Sequence, residues 1–212
     1  MTIPDNGLIT GPDGLARCWW SGSDPDYLRY HDEEWARPVT EDRRLFEKVS
    51  LEAFQCGLSW ITILRKRENF RAAFDHFDFE KIAHYGDEKI TQLLANAGIV
   101  RHRGKISATI SNARQALELR DKFGSLHAYF AQYIPLDHPE EINIAFARQH
   151  STNPESAAMA KDLKKRGWKF VGPTTAYAFM QAMGMLNDHL SGCHCRKKVT
   201  HEQQRVYAKD SR

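Results

Sequence analysis

The chain has 212 residues, 42% of them hydrophobic and 27% charged, which is enough apolar material for a packed core and too much for a disordered chain. No apolar run approaches the roughly 18 residues of a membrane span, and the N-terminus lacks the basic-then-apolar order of a secretion signal. The reading is therefore of a globular, cytoplasmic protein with no membrane partner. Residues 1–60 carry six Lys and Arg against eleven Asp and Glu, and the rest carries 24 against 16, so the formal net charge of +3 hides a basic C-terminal two-thirds that suits a polyanion.

In chain order, residues 1–16 hold Pro4, Gly7, Gly11, Pro12 and Gly14 and read as a flexible extension. An aromatic cluster follows, with Trp19 and Trp20, then Tyr27, Tyr30 and Trp35 around His31. Asp42 is placed to start a helix on which Leu45, Val49, Ala53 and Cys56 recur at helical spacing. Helices are also expected over 61–74, after Asp78 and Asp87, over 102–120 (with Ile106, Ile110, Ala113 and Leu117 as the apolar stripe), and over 155–166 and 174–183. Residues 196–212 read as a loose basic tail. No alternating strand run competes, so the expected fold class is all-α.

Four cysteines stand at 18, 56, 193 and 195. In a cytosolic chain, thiols more often ligate metal or pack as small side chains than form disulfides. Twelve residues separate Cys18 from His31, and three separate His189 from Cys193, a gap that brings two donors to one side of a helix end. These four make a closed two-Cys, two-His zinc set; His194 and Cys195 are alternative donors.

Between the last two helices expected before the tail, Gly167 and Gly172 bracket the turn Trp168-Lys169-Phe170-Val171, flanked by Lys164, Lys165 and Arg166. Free backbone N–H groups at the turn and at the following helix start, near Thr174, suit a phosphate oxygen. The pattern looks like a helix-hairpin-helix element, spanning about 155–184, that holds the DNA backbone without reading sequence. Upstream, Glu52 interrupts an apolar stretch; if its helix face turns inward, the carboxylate is buried and needs a partner or a function.

The strings Tyr30-His31-Asp32-x-Glu34-Trp35, Leu51-Glu52, Gly57-Leu58-Ser59-Trp60-Ile61-Thr62, Lys66-Arg67-Glu68-Asn69, Arg101-His102-Arg103-Gly104-Lys105-Ile106, Lys164-Lys165-Arg166-Gly167 and Asn187-Asp188-His189 through Cys193 resemble, in order, the DNA-3-methyladenine glycosylase I family. The resemblance runs from about Arg17 to Cys195, leaving 1–16 and 196–212 outside the glycosylase domain. It implies a helix-hairpin-helix fold acting on alkylated double-stranded DNA in base excision repair. Cys18, His31, His189 and Cys193 would hold a structural zinc tying the two chain ends together. Glu52 would recognise the base, and Tyr27, Tyr30 and Trp60 would form the aromatic pocket with Trp20 beside them. Lys164, Lys165, Arg166, Gly167, Lys169, Gly172 and Thr174 would meet DNA.

Two further positions refine the chemistry implied. Asn187 stands where many superfamily members carry an Asp, with Asp188 beside it as the candidate for activating water. Thr174 stands where strand-cleaving relatives carry a Lys, which implies a hydrolase without lyase activity. Ala53 and Cys56 replace smaller family residues and are expected to tighten the pocket. The expected molecule is a monomer. A non-catalytic DNA-binding module would not need Glu52 and the tyrosines together.

Overall fold

A computed structural model describes residues 3–207; residues 1–2 of the expected extension and 208–212 of the expected tail lie outside the described residues. The chain opens with a two-stranded antiparallel sheet, β1 (Leu8–Thr10) and β2 (Ala16–Cys18), with Leu8 opposite Cys18. The fold is thus mostly helical rather than strictly all-α, and residues 8–16 are not a loose extension. Gly7 is buried, and its carbonyl accepts a 2.8 Å hydrogen bond from the Trp19 N–H. Strands of three residues are too short for alternation to show, and the Gly and Pro that read as a loop are also what a tight turn uses.

A 3₁₀ turn (Trp19–Ser21) leads into α1 (Pro25–Glu33), which starts with Pro and is capped by the Asp24 carboxylate accepting from the Asp26 and Tyr27 N–H groups. Helix α2 (Asp42–Gln55) lies at the centre. Neighbours on several sides bury Leu45, Phe46, Val49, Leu51 and Phe54, and the polar Lys48, Ser50 and Glu52 are buried with them. The helix expected over 61–74 is two, α3 (Trp60–Arg65) and α4 (Arg67–Ala73), joined at Lys66. Then come α5 (Phe79–Ile82), capped by Asp78, and α6 (Asp87–Ala95). Helix α7 (Arg103–Phe123) buries Ile106, Ile110 and Ala113, with Leu117 half-buried.

Helices α8 (Leu126–Ala131) and α9 (Ile144–Gln149) are single short turns that periodicity does not register. Helix α10 (Pro154–Lys165) starts with a reciprocal Asn153–Ser156 capping box, and α11 (Pro173–Ala182) packs on both α10 and α2. Gly184, at φ +73°, follows α11 where a Cβ would lie 2.4 Å from the Pro38 nitrogen; glycine alone permits that approach, and the Val39 N–H donates to Met183 O beside it.

Residues 196–207 form α12 (Arg196–Tyr207), not a loose tail. Only Val199 is buried there; the helix is held by a 2.6 Å ion pair between Glu202 and Arg37 and by Gln203 donating to the Ala36 and Leu186 carbonyls. Polar docking of this kind leaves no apolar stripe to read. Among the described residues, no helix is long and apolar enough to cross a membrane.

Candidate active site and metal centre

Strand β2 supplies Cys18, α1 supplies His31, and the loop between α11 and α12 supplies His189 and Cys193; all four are buried. Cys193 Sγ lies 3.6 Å from His31 Nε2 and 3.5 Å from His189 Nδ1, and Cys18 Sγ lies 3.8 Å from His189 Nδ1. A tetrahedron with bonds of about 2.3 Å to sulfur and 2.0–2.1 Å to nitrogen has sulfur–nitrogen edges of about 3.5–3.6 Å, close to the distances seen, so the donor set could hold one ion. The far nitrogens also have acceptors: His31 Nδ1 is 2.7 Å from Asp32 Oδ1, and His189 Nε2 is 3.4 Å from Trp35 O. Burial pushes the His189 imidazole below its ordinary value, which keeps it in the neutral form a metal requires.

The alternative donors His194 and Cys195 group around Asp32 instead, with His194 Nε2 3.0 Å and Cys195 Sγ 3.8 Å from Oδ1. The Arg17 guanidinium already neutralises that carboxylate at 2.8 Å.

Beside the Cys/His cluster, a cavity of about 240 Å³ is walled by Trp19, Trp20, Tyr27, Tyr30, Trp35 and Trp60, with Glu52, Gln55, Gln181 and Asp188 as its polar lining. The rings brace one another: Trp20 packs edge-on to Tyr27 at 5.4 Å and to Trp35 at 4.8 Å, and Tyr30 lies 5.3 Å from Trp60. Glu52 is 6% exposed, so its helix face does turn inward. Its partner is Lys48, one turn earlier, with Nζ 2.9 Å from Oε1. The same ammonium donates to the Tyr30 hydroxyl at 2.8 Å and sits 3.3 Å from the Trp60 ring centroid. Burial, with the Glu52 charge adding to it, raises the Tyr27 and Tyr30 phenols, so both stay protonated. The buried Trp60 Nε1 has no hydrogen-bond partner among the described residues.

Asp188 lines the cavity: Oδ2 accepts from Tyr177 and Gln181 at 2.7 Å, while Oδ1, 2.9 Å from His138 Nε2, has a close ionic neighbour but no hydrogen bond of good geometry among the described residues. Burial drives its carboxyl up, and these neighbours outweigh burial and bring it below its ordinary value. Asn187 turns away, donating to Arg196 O and Thr200 Oγ1. Ala53 is buried without lining the cavity and Cys56 is exposed, so neither tightens the pocket wall as expected.

At the α10–α11 turn, Gly167 takes φ +90° and Trp168 is buried. Asn112 on α7 clamps the turn: its Nδ2 donates to Lys169 O at 3.0 Å and its Oδ1 accepts from the Lys169 N–H at 2.9 Å. Lys164, Lys165, Gly167, Lys169, Gly172 and Thr174 are exposed. Arg166 is half-buried, its Nε donating to Asp162 at 2.6 Å.

The sequence profile of the methyladenine glycosylases matches residues 20–197. The chain belongs to the methyladenine glycosylase family. It is 45% identical to DNA-3-methyladenine glycosylase 1 of Escherichia coli K12 over 85% of this chain and 97% of that protein. It is 43% identical to DNA-3-methyladenine glycosylase of Haemophilus influenzae Rd over the same shares. A crystal structure of 3-methyladenine DNA glycosylase I superposes with a TM-score of 0.80 at 47% identity, over 85% of this chain and 99% of that one. The Staphylococcus aureus enzyme, solved for the basis of its 3-methyladenine recognition, gives 0.79 at 32% identity, over 85% of this chain and 96% of that one. This methyladenine glycosylase is an enzyme whose cavity brings together Trp20, Tyr27, Tyr30, Glu52 and Trp60, which sequence reasoning grouped. Lys48, Gln55 and Gln181 were missed. For Lys48 a signal existed, since a Lys four residues before Glu52 places both on one face of the helix, where they can pair.

Proposed function

We propose that the chain excises 3-methyladenine from alkylated double-stranded DNA by hydrolysing the N-glycosidic bond, as the first step of base excision repair. The observation that carries the reading is Glu52, a carboxylate buried in the wall of an aromatic cavity large enough for one ring system and too small for a duplex. A base reaches such a site only by leaving the stack, at a cost of a few kcal/mol.

Methylation at N3 makes adenine cationic and weakens its bond to the sugar. The base departs neutral, so no general acid is needed. Tyr30 and Trp60 stack on a cationic ring, at roughly 0.5–2 kcal/mol per contact. Glu52 accepts from the exocyclic amine, and the unpartnered Trp60 N–H is free to donate to a ring nitrogen. Unmethylated adenine gains less from each. Asp188, facing the cavity, is the group nearest in kind to a water-positioning carboxylate.

The α10–α11 turn is read as the helix-hairpin-helix. Lys164, Lys165 and Lys169 meet phosphates with the N–H groups of the turn and of the α11 start. Arg166, committed to Asp162, supports the turn from inside. Thr174 offers no amine for a covalent sugar adduct, which agrees with hydrolysis without strand cleavage. Cys18, His31, His189 and Cys193 would hold zinc; with four protein donors the ion ties the β2–α1 segment to the α11–α12 loop and takes no part in the chemistry.

The test is direct. Purified, metal-loaded protein is incubated with methylated duplex DNA and the released bases are separated by chromatography. Release of 3-methyladenine is expected; its absence from folded protein refutes the reading.

A further inference from the structure

Lys48 is an unusual neighbour for a pocket that receives a cation. Its side chain is 7% exposed, and its ammonium touches three walls of the site at once: Glu52 at 2.9 Å, the Tyr30 hydroxyl at 2.8 Å and the Trp60 ring at 3.3 Å from the centroid. It reaches them from behind. Lys48 does not line the aromatic cavity but a second, smaller one of about 30 Å³ on the other side of Tyr30 and Trp60. The empty site therefore already holds one cation on the carboxylate and the indole that the proposed function assigns to the base.

The other charges around Lys48 are paired among themselves. From the end of α1, the capping Glu34 is bound by Arg67 of α4; from α2 itself, Glu47 is bound by Arg71 of α4 at 2.7 Å. Arg44, also on α2, is exposed. Helix α3 faces Lys48 with Trp60, and the end of α11 with Ala182 and Met183, none of which titrates. Tyr30 holds its proton, because burial and then the Glu52 charge raise its phenol. Among the described residues, Glu52 is thus the one carboxylate bonded to Lys48. Without Lys48, a buried Glu52 would stand uncompensated whenever the pocket is empty.

We propose that Lys48 is the resident counter-ion of Glu52, and that a cationic base entering the cavity takes its place as the Lys48 proton is released to solvent. The inference rests on the reading of the pocket as a site for a methylated, positively charged base. One positive charge enters and one leaves: an N–H bond of the ammonium breaks, its electron pair stays on Nζ, and the proton passes to bulk water. Two cations sharing one buried carboxylate and the two faces of one indole would repel in a medium of low dielectric, whereas a neutral amine leaves Glu52 and the ring to the base. The direction is consistent with the surroundings of Lys48, since burial lowers its affinity for a proton more than Glu52 restores it. The unloaded pocket then stays charge-balanced and stable, and Glu52 becomes available when the cation arrives.

The experiment is a pH series of kcat/KM for 3-methyladenine release from methylated duplex DNA, comparing wild type, K48M and K48R. For the wild type, kcat/KM should rise about tenfold per pH unit below the Lys48 ionisation of the free enzyme and level above it. K48M fills the same volume without a charge, so its profile should be flat across that range and match or exceed the wild type on the acid side. K48R keeps a cation at every pH; it should be flat and at least about tenfold below the wild type on the alkaline side. A K48M profile parallel to the wild type, or a K48R enzyme as fast as the wild type in alkali, overturns the inference while leaving base excision intact. A wild type that releases no base at any pH overturns the reading of the pocket and this inference with it.

Discussion

The Nδ1 atom of His31 lies 2.7 Å from Asp32 Oδ1, on the side of the imidazole opposite the cluster formed with Cys18, His189 and Cys193. Burial would push the Asp32 carboxyl up, yet Arg17, His31 and His194 outweigh it and hold the group well below the usual carboxylate range. A carboxylate there fixes the tautomer and orientation of a metal-binding imidazole. Asp32→Asn should therefore weaken metal binding by about 10–100-fold with all four donors in place. Chelator competition on the purified variant measures it, and unchanged affinity would show that Asp32 does not orient His31 for the metal.

Removing a donor should do more. Cys18→Ser is expected to lower metal content and melting temperature together, because an ion held by these four donors would bridge segments from opposite ends of the chain. Metal content by elemental analysis decides the donor set: full occupancy in Cys18→Ser would shift the assignment toward His194 or Cys195.

Acid stability should depend on Glu34. Its carboxylate pairs with Arg67, with Oε1 accepting from a guanidinium nitrogen at 2.9 Å. Burial raises this carboxyl, and Arg67 more than reverses the effect, so its folded value lies below its ordinary one. A group depressed by folding stabilises fully above its unfolded value, about 4.3 for Glu, and that contribution is lost as pH falls through the folded value. Glu34→Gln should be roughly 1–3 kcal/mol less stable at neutral pH, with Arg67 left partly buried and unpaired. Below about pH 4.3 its stability should fall less steeply than that of the wild type. Urea unfolding across an acid pH series checks both slopes.

Glu52→Gln separates recognition from binding. Exchanging a charge-assisted contact for a neutral one costs about 1.5–3 kcal/mol, or roughly 10–150-fold in excision. Duplex binding, which the proposed function assigns to the α10–α11 turn, should change by less than about twofold, since the substitution leaves that turn untouched. Equal loss of excision and binding would remove Glu52 from base recognition.

How much of this was legible in the sequence follows from the kind of signal each feature leaves. The Ile106–Ile110–Ala113 stripe announces α7 because one face of a long helix meets the core. Asp78 marks α5 because a carboxylate beside free N–H groups is a local event. Residues 8–16 and 196–207 were misread because their order comes from distant partners: Gly7 against Leu190, Glu202 on Arg37, Gln203 on the Ala36 carbonyl. Motif resemblance located Glu52 but not what neutralises it. Lys48 on the same helix could only be judged buried once α1, α3 and α4 were packed around it. Arg166 reads as one more cation in a basic string, although Asp162, four residues earlier at the end of α10, already offers it a partner at helical spacing.

The clamp on the α10–α11 turn yields the last prediction. Asn112 is 2% exposed and hydrogen-bonds both the carbonyl and the N–H of Lys169, at the point where Phe170 adopts a positive φ of 58°. Asn112→Ala removes two hydrogen bonds and leaves backbone groups without partners, which should cost about 2–4 kcal/mol. Asn112→Asp keeps the acceptor for the Lys169 N–H but sets a buried carboxylate oxygen against its carbonyl, so its loss should be at least that of the alanine variant at neutral pH. Duplex affinity should drop in step with stability, because the turn presents its phosphate-binding groups only while held. Substituting Lys164, Lys165 or Lys169 by Ala acts differently: each should leave the melting temperature unchanged and reduce the slope of log affinity against log salt by roughly 1. Thermal melts and salt titrations of the same variants distinguish a loosened turn from a lost phosphate contact. A normal melt with normal affinity in Asn112→Ala would show that the turn holds its shape unaided.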